Sequence, residues 1–102
     1  MKKYKEITDA RRLLELPERA TMAEIKTHYR KLMRHWHPDM CKEAEQRCKE
    51  MTARISAAYN IIVEYCDHYR FSFSREEVRE NLSEEEWLHE RFGKDPVWGS
   101  GA

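Results

Sequence analysis

From Lys42 to Tyr69 the chain contains neither proline nor glycine, and its apolar residues Ala44, Cys48, Met51, Ile55, Ala58, Tyr59, Ile62, Cys66 and Tyr69 recur at steps of three and four. That spacing places them on one face of a helix. A helix over 42–69 is far longer than the average, and an apolar face of that length must be covered, because helices in water owe most of their stability to packing. The cover lies upstream. Thr21-Met22-Ala23-Glu24 has the form of a capping box, in which hydroxyl and carboxylate each accept one otherwise unpaired amide. Met22, Ile25, Tyr29, Leu32, Met33 and Trp36 follow at helical steps, and Pro38 disfavours helical geometry at His37. A helix over 21–36 results, and two long amphipathic helices joined by a short loop pack antiparallel. Tyr29, Trp36, Tyr59 and Tyr69 share the phase of the apolar stripes and are assigned to packing.

A shorter helix over 8–16 precedes this pair. Thr8-Asp9 offers N-cap chemistry, and Pro17, lacking an N–H, stops the run after Leu16. Downstream, Arg70-Phe71-Ser72-Phe73 alternates like a strand but has no partner strand, so it reads as an extended linker. Ser74-Arg75-Glu76-Glu77 and Ser83-Glu84-Glu85-Glu86 are further capping boxes, predicting two short acidic helices closed by Gly93 and Pro96. The expected fold is all-α: one domain over 1–73, then an acidic helical extension and tail over 74–102.

Net charge is zero, but its distribution is uneven. Between Arg19 and Pro38, the bases Arg19, Lys26, Arg30, Lys31 and Arg34 face one acid, Glu24, whereas acids outnumber bases from Ser74 onward. The first region attracts anionic partners and the second repels them. A zero total weighs against a nucleic-acid-binding helical module, which would use the second helix for recognition and lose affinity steeply with salt. No run is apolar enough to serve as a secretory signal or membrane span, and a cytoplasmic address is expected. Cys41, Cys48 and Cys66 are odd in number and lack C-x-x-C spacing, which reads as three reduced thiols rather than a disulfide framework or zinc site. His35 and His37 stand two apart and so point to different sides of a helix, again unlike a metal site. The histidines have no accompanying nucleophile or carboxylate pair, so neither catalysis nor a cofactor is expected of the chain itself.

The remaining signal is positional. His37-Pro38-Asp39 directly follows the basic helix Glu24-Ile25-Lys26-Thr27-His28-Tyr29-Arg30-Lys31-Leu32-Met33-Arg34-His35-Trp36, and the long helix after it carries Ile55-Ser56-Ala57-Ala58-Tyr59-Asn60-Ile61-Ile62. In this order the elements resemble the J-domain (DnaJ-like) co-chaperone family over about residues 7 to 69. Without a Gly/Phe-rich stretch or cysteine-rich repeats, the sequence is similar to the minimal class of that family. The resemblance implies a J-domain helical bundle that docks, as a monomer, on an ATP-bound DnaK-type heat-shock chaperone. It implies that the chain stimulates ATP hydrolysis in that chaperone, which then closes on a client protein. It further implies that Lys26, Arg30 and Lys31 face an acidic surface of the partner, that His37, Pro38 and Asp39 form the trigger, and that Arg34 and His35 contact the rim. Two positions depart from the family pattern: Thr52 stands where phenylalanine is common, with Met51 filling the gap, and Cys41 stands where a basic residue is frequent.

Physical chemistry supports the same residues. Pro38 ends the helix and leaves the flanking imidazole and carboxylate outside the bundle. A carboxylate such as Asp39 can accept two charge-assisted hydrogen bonds from a partner arginine, while screened surface pairs add only about 0.2–1 kcal/mol each and speed encounter. Such an arrangement suits a transient, salt-sensitive complex of roughly micromolar affinity, about −8 kcal/mol. The competing readings are the nucleic-acid module and a protein-interaction scaffold whose J-like loop is inactive. Because helices as short as those expected beyond Phe73 are marginal alone, they are expected to pack back on the long third helix. A chain ended after Phe73 should therefore stay folded with a somewhat lower melting temperature and still stimulate the chaperone; thermal melts and ATPase assays check both.

Overall fold

The computed structural model describes residues 1–83 and Glu86. Among these residues the chain is all-helical, with α1 (Lys2–Leu13), α2 (Met22–Trp36), α3 (Glu45–Asp67) and α4 (Arg75–Glu80) and no strand. It divides into two units, one over Met1–Tyr69 and one from Arg70 onward.

In the first unit the long helix is the centre. Ile55, Ala58 and Ile62 of α3 join Ala10 of α1, Ile25 of α2, and Leu14 and Leu16 of the connector in one buried cluster. Tyr29, Leu32, Met33 and Trp36 of α2 pack at its edge. The two long helices run antiparallel, as their contacts require. Trp36, at the end of α2, lies 5.6 Å from the Arg47 guanidinium at the start of α3, while Tyr29, two turns earlier in α2, stacks at 4.0 Å on Tyr59, far along α3. The capping box of α2 forms: the Glu24 N–H donates to Thr21 Oγ1 at 3.1 Å, and the Thr21 N–H donates to Glu24 Oε1 at 3.3 Å.

The first helix differs from the expected 8–16 at both ends. It begins at Lys2, so Thr8 and Asp9 lie inside it. Asp9 accepts a 2.8 Å bond from Lys5 Nζ one turn back instead of capping anything, and that bond, aided by the charges of Lys5 and Arg12, holds its carboxyl below the usual range. The C-terminal stop is not Pro17 but Glu15, whose φ of 57° is left-handed. For a residue with a Cβ this conformation costs roughly 1–2 kcal/mol. It is offset by what it accomplishes: the reversal turns both Leu14 and Leu16 into the core, which a straight helix would not do. Two side chains fix the reversed segment. Arg11 Nη1 donates to the Leu16 carbonyl at 2.8 Å, and His28 Nδ1 of α2 stands 3.1 Å from the Leu14 carbonyl.

The cysteines also depart from the expectation of three reduced thiols: Cys41 and Cys48 are joined in a disulfide, with a Cα–Cα separation of 6.2 Å. Counting cysteines speaks to frameworks of several bridges and says nothing about one local pair. Here α3 starts at Glu45 rather than 42, leaving Lys42–Ala44 as a loop that folds Cys41 back beside the first turn of the helix. Cys66 remains free, and partial burial, with the nearby Asp67 charge, pushes its thiol pKa up. Tyr69 also departs from its assignment to packing. It is 53% exposed and meets Tyr65 edge-on at 5.9 Å, because α3 ends at Asp67 and the helical phase that would turn it inward stops there.

In the second unit, Ser74 Oγ accepts the Glu77 N–H at 3.3 Å and caps α4. The Ser74 N–H itself bonds to Ser72 Oγ rather than to a glutamate, so only half of the expected box forms. At the next expected cap, the Glu86 N–H donates to Ser83 Oγ at 3.1 Å; the rest of that predicted helix, with Gly93 and Pro96, lies outside the described residues. Among the described residues no helix is long and apolar enough to cross a membrane, and no cluster of histidine, cysteine and carboxylate side chains could hold a metal ion.

Ile55 is wholly buried where α1, the connector and α2 converge on α3. Ile55→Ala should therefore lower unfolding free energy by about 2–5 kcal/mol through a core cavity, read from denaturant titrations.

Candidate functional site

The singled-out residues occupy the end of α2 and the turn that follows it. His37 is the C-cap of α2, with φ −57° and ψ 134°, the extended geometry that a following proline imposes. Past Pro38 the chain closes on itself: the N–H groups of Met40 and Cys41 both donate to the His37 carbonyl, at 2.9 and 2.8 Å. Within this turn the Asp39 N–H donates to His37 Nδ1 at 3.2 Å. An acceptor at Nδ1 leaves Nε2 as the N–H of the ring. Asp39 Oδ2 lies 3.8 Å from the same Nδ1, too long for a hydrogen bond and without a proton on that nitrogen to share, so the backbone contact sets the ring's orientation. Both side chains face outward, His37 55% and Asp39 88% exposed.

Lys26, Arg30 and Arg34 recur every fourth residue of α2 and form one exposed row; Lys31 and His35, also four apart, form a second. Among the described residues, Lys26, Arg30, Lys31 and Arg34 make no ion pair, whereas Lys5 and Lys49 are held by Asp9 and Glu45 one turn away. The basic rows therefore keep their charge directed at solvent. His35 meets Trp36 edge-to-face at 5.2 Å, which ties one member of the second row to the aromatic that ends α2. Thus His37, Pro38, Asp39, Lys26, Arg30, Lys31, Arg34 and His35 are all exposed, on one helix and its C-terminal turn.

Two supporting features were not foreseen. One is His28, whose bond to the Leu14 carbonyl anchors α2 to the connector; its place three residues after Ile25, at the margin of the apolar stripe, was the available signal. The other is the Cys41–Cys48 bridge. Met51, expected to fill the space left by Thr52, is buried in α3, and Thr52 Oγ1 donates to the Lys49 carbonyl at 2.9 Å.

The family model of the DnaJ domain matches residues 9–65, more than half of the chain. The chain is 42% identical over 50 residues to the chaperone protein DnaJ 2 of Aquifex aeolicus, covering 49% of this chain and 13% of that protein. It is 44% identical over 62 residues to the chaperone protein DnaJ of Thermotoga maritima, covering 57% and 16%. A DnaJ-like protein of Mycoplasma pneumoniae is 35% identical over 86 residues, covering 78% and 26%. The matched region thus spans about a quarter or less of the length of these relatives. No solved structure matches the chain significantly.

Proposed function

This chain belongs to the DnaJ domain family, and on that premise we propose that it is a co-chaperone that docks on an ATP-bound DnaK-type heat-shock chaperone and stimulates its ATP hydrolysis. It acts as a cytoplasmic monomer and adds no chemistry of its own; the partner supplies nucleotide and metal, and the outcome is closure on a client protein. The observation that carries this reading is the exposed His37-Pro38-Asp39 turn at the end of a helix whose cations have no partner among the described residues.

The roles follow from that placement. Lys26, Arg30 and Lys31 steer the chain to an acidic surface, each contact adding about 0.2–1 kcal/mol because solvent screens it. Arg34 and His35 extend the contact toward the turn. Asp39 offers both carboxylate oxygens to a partner guanidinium, the strong and directional form of charge-assisted bond. His37 offers its Nε2–H, with the ring held by the Asp39 amide, while Pro38 restricts the backbone between them so that little freedom is lost on docking.

Single-turnover ATP hydrolysis by a DnaK-type chaperone, with and without the chain, tests the reading; no acceleration at saturating chain would refute it. His37→Gln should abolish acceleration while leaving helicity and melting temperature nearly unchanged, because the side chain contributes nothing to the core. Arg30→Ala should slow association more than it speeds dissociation, and raising salt should slow association of the unmodified chain. Stopped-flow binding at two ionic strengths measures both effects.

A further inference from the structure

The turn that carries His37 and Asp39 is closed from its far side by Cys41. The Cys41 N–H donates to the His37 carbonyl at 2.8 Å, and the Cys41 sulfur is bonded to Cys48 in the first turn of α3. That first turn has no side-chain cap, since its N-cap residue is Ala44. Arg47 remains over the Trp36 ring at 5.6 Å, so the facing ends of α2 and α3 are held together without the bridge, whereas no described side-chain contact ties Cys41 to α3 except the bridge itself. The two sulfurs are unequal: Cys41 is half-buried and Cys48 only 1% exposed. The Cys48 sulfur also lies 3.6 Å from the Glu43 carbonyl oxygen, an acceptor for its S–H once the bridge is open.

We propose that Cys41 and Cys48 form a reversible redox clasp on the His37-Pro38-Asp39 turn: oxidised, it fixes the turn against α3 in the geometry that docks, and reduced, it frees the segment from Met40 to Ala44. The clasp's effect on ATPase stimulation rests on the co-chaperone reading, but its effect on loop mobility does not. Opening is thiol–disulfide exchange. A thiolate of a small dithiol attacks the more accessible Cys41 sulfur, the Cys41–Cys48 bond breaks, and Cys48 leaves as a thiolate that takes up a proton. The second thiol of the reagent then attacks the mixed disulfide, releasing Cys41, which is also protonated; the dithiol has given up two electrons and become a cyclic disulfide. Closing is the reverse exchange, with a low-molecular-weight disulfide as oxidant, itself reduced to two thiols. Because a loop already held in its docking geometry loses less freedom on association, oxidation should lower the concentration needed for half-maximal stimulation by about three- to ten-fold and leave the maximum unchanged.

The test uses the full chain, oxidised with glutathione disulfide or reduced with dithiothreitol and then freed of reagent. Thiol titration of the unfolded chain should count only Cys66 after oxidation and all three cysteines after reduction. Amide hydrogen exchange should be slower over Met40–Ala44 in the oxidised form, with α1 and the middle of α3 unaffected, and single-turnover hydrolysis should differ as stated. Cys41→Ser, at the half-buried position, should behave as the reduced chain whatever the treatment; Cys48→Ala checks the same point from the buried side. Failure of the pair to oxidise, or equal loop exchange in the two forms, overturns the clasp. Equal stimulation by two forms that both accelerate hydrolysis overturns its functional effect. If neither form accelerates hydrolysis while loop exchange still differs, the clasp stands as a lock on the turn and the co-chaperone reading is what fails.

Discussion

Burial of the inner face of α3 is the interaction on which the rest of the first unit depends. Ile55, Ala58 and Ile62 are covered by residues from three separate stretches: Ala10 of α1, Leu14 and Leu16 of the connector, and Ile25 of α2. The left-handed turn at Glu15 exists because the connector must contribute two leucines to one side. The position of α2 in turn sets where its exposed cations and its terminal turn stand. Exposed cations and core residues are therefore segregated on the same helix, with Ile25 inward and Lys26, Arg30 and Arg34 outward.

Much of this was legible in the sequence, for identifiable reasons. The periodic apolar stripes of α2 and α3 have one physical solution, and the capping box at Thr21 and the proline at position 38 fix the ends of α2 within a residue. The basic rows and the exposed turn follow from the same periodicity. What escaped was governed by local geometry that competes with propensity. Thr8 and Asp9 look like a cap, yet the helix continues upstream to Lys2 and Asp9 serves Lys5 instead. Pro17 looks like the stop, yet the demand for Leu14 and Leu16 in the core reverses the chain at Glu15 first. Cysteine number gave no hint that a loop would return Cys41 to the side of Cys48.

The division of labour between strong and weak forces is also plain. The core is apolar, with no buried polar or charged residue among the described ones, so stability is insensitive to ionic strength to first order. The outward rows have the opposite character. Charges with no internal partner contribute little to the fold and respond directly to the surrounding salt. The charge of these rows can thus change without any change in the bundle that presents them.

Two histidines use the same ring atom in opposite senses. His28 faces a carbonyl, which can only accept, so its Nδ1 must carry the hydrogen; His37 receives an amide N–H, so its Nδ1 must not. An imidazolium carries hydrogen on both nitrogens. Taking up a proton therefore leaves the His28 tie to the connector intact, whereas at His37 it removes the acceptor for the Asp39 amide and creates a donor facing the Asp39 carboxylate, 3.8 Å away. The tautomers of two side chains, one midway along α2 and one at its C-cap, thus separate a contact that holds the scaffold from a contact that holds the turn.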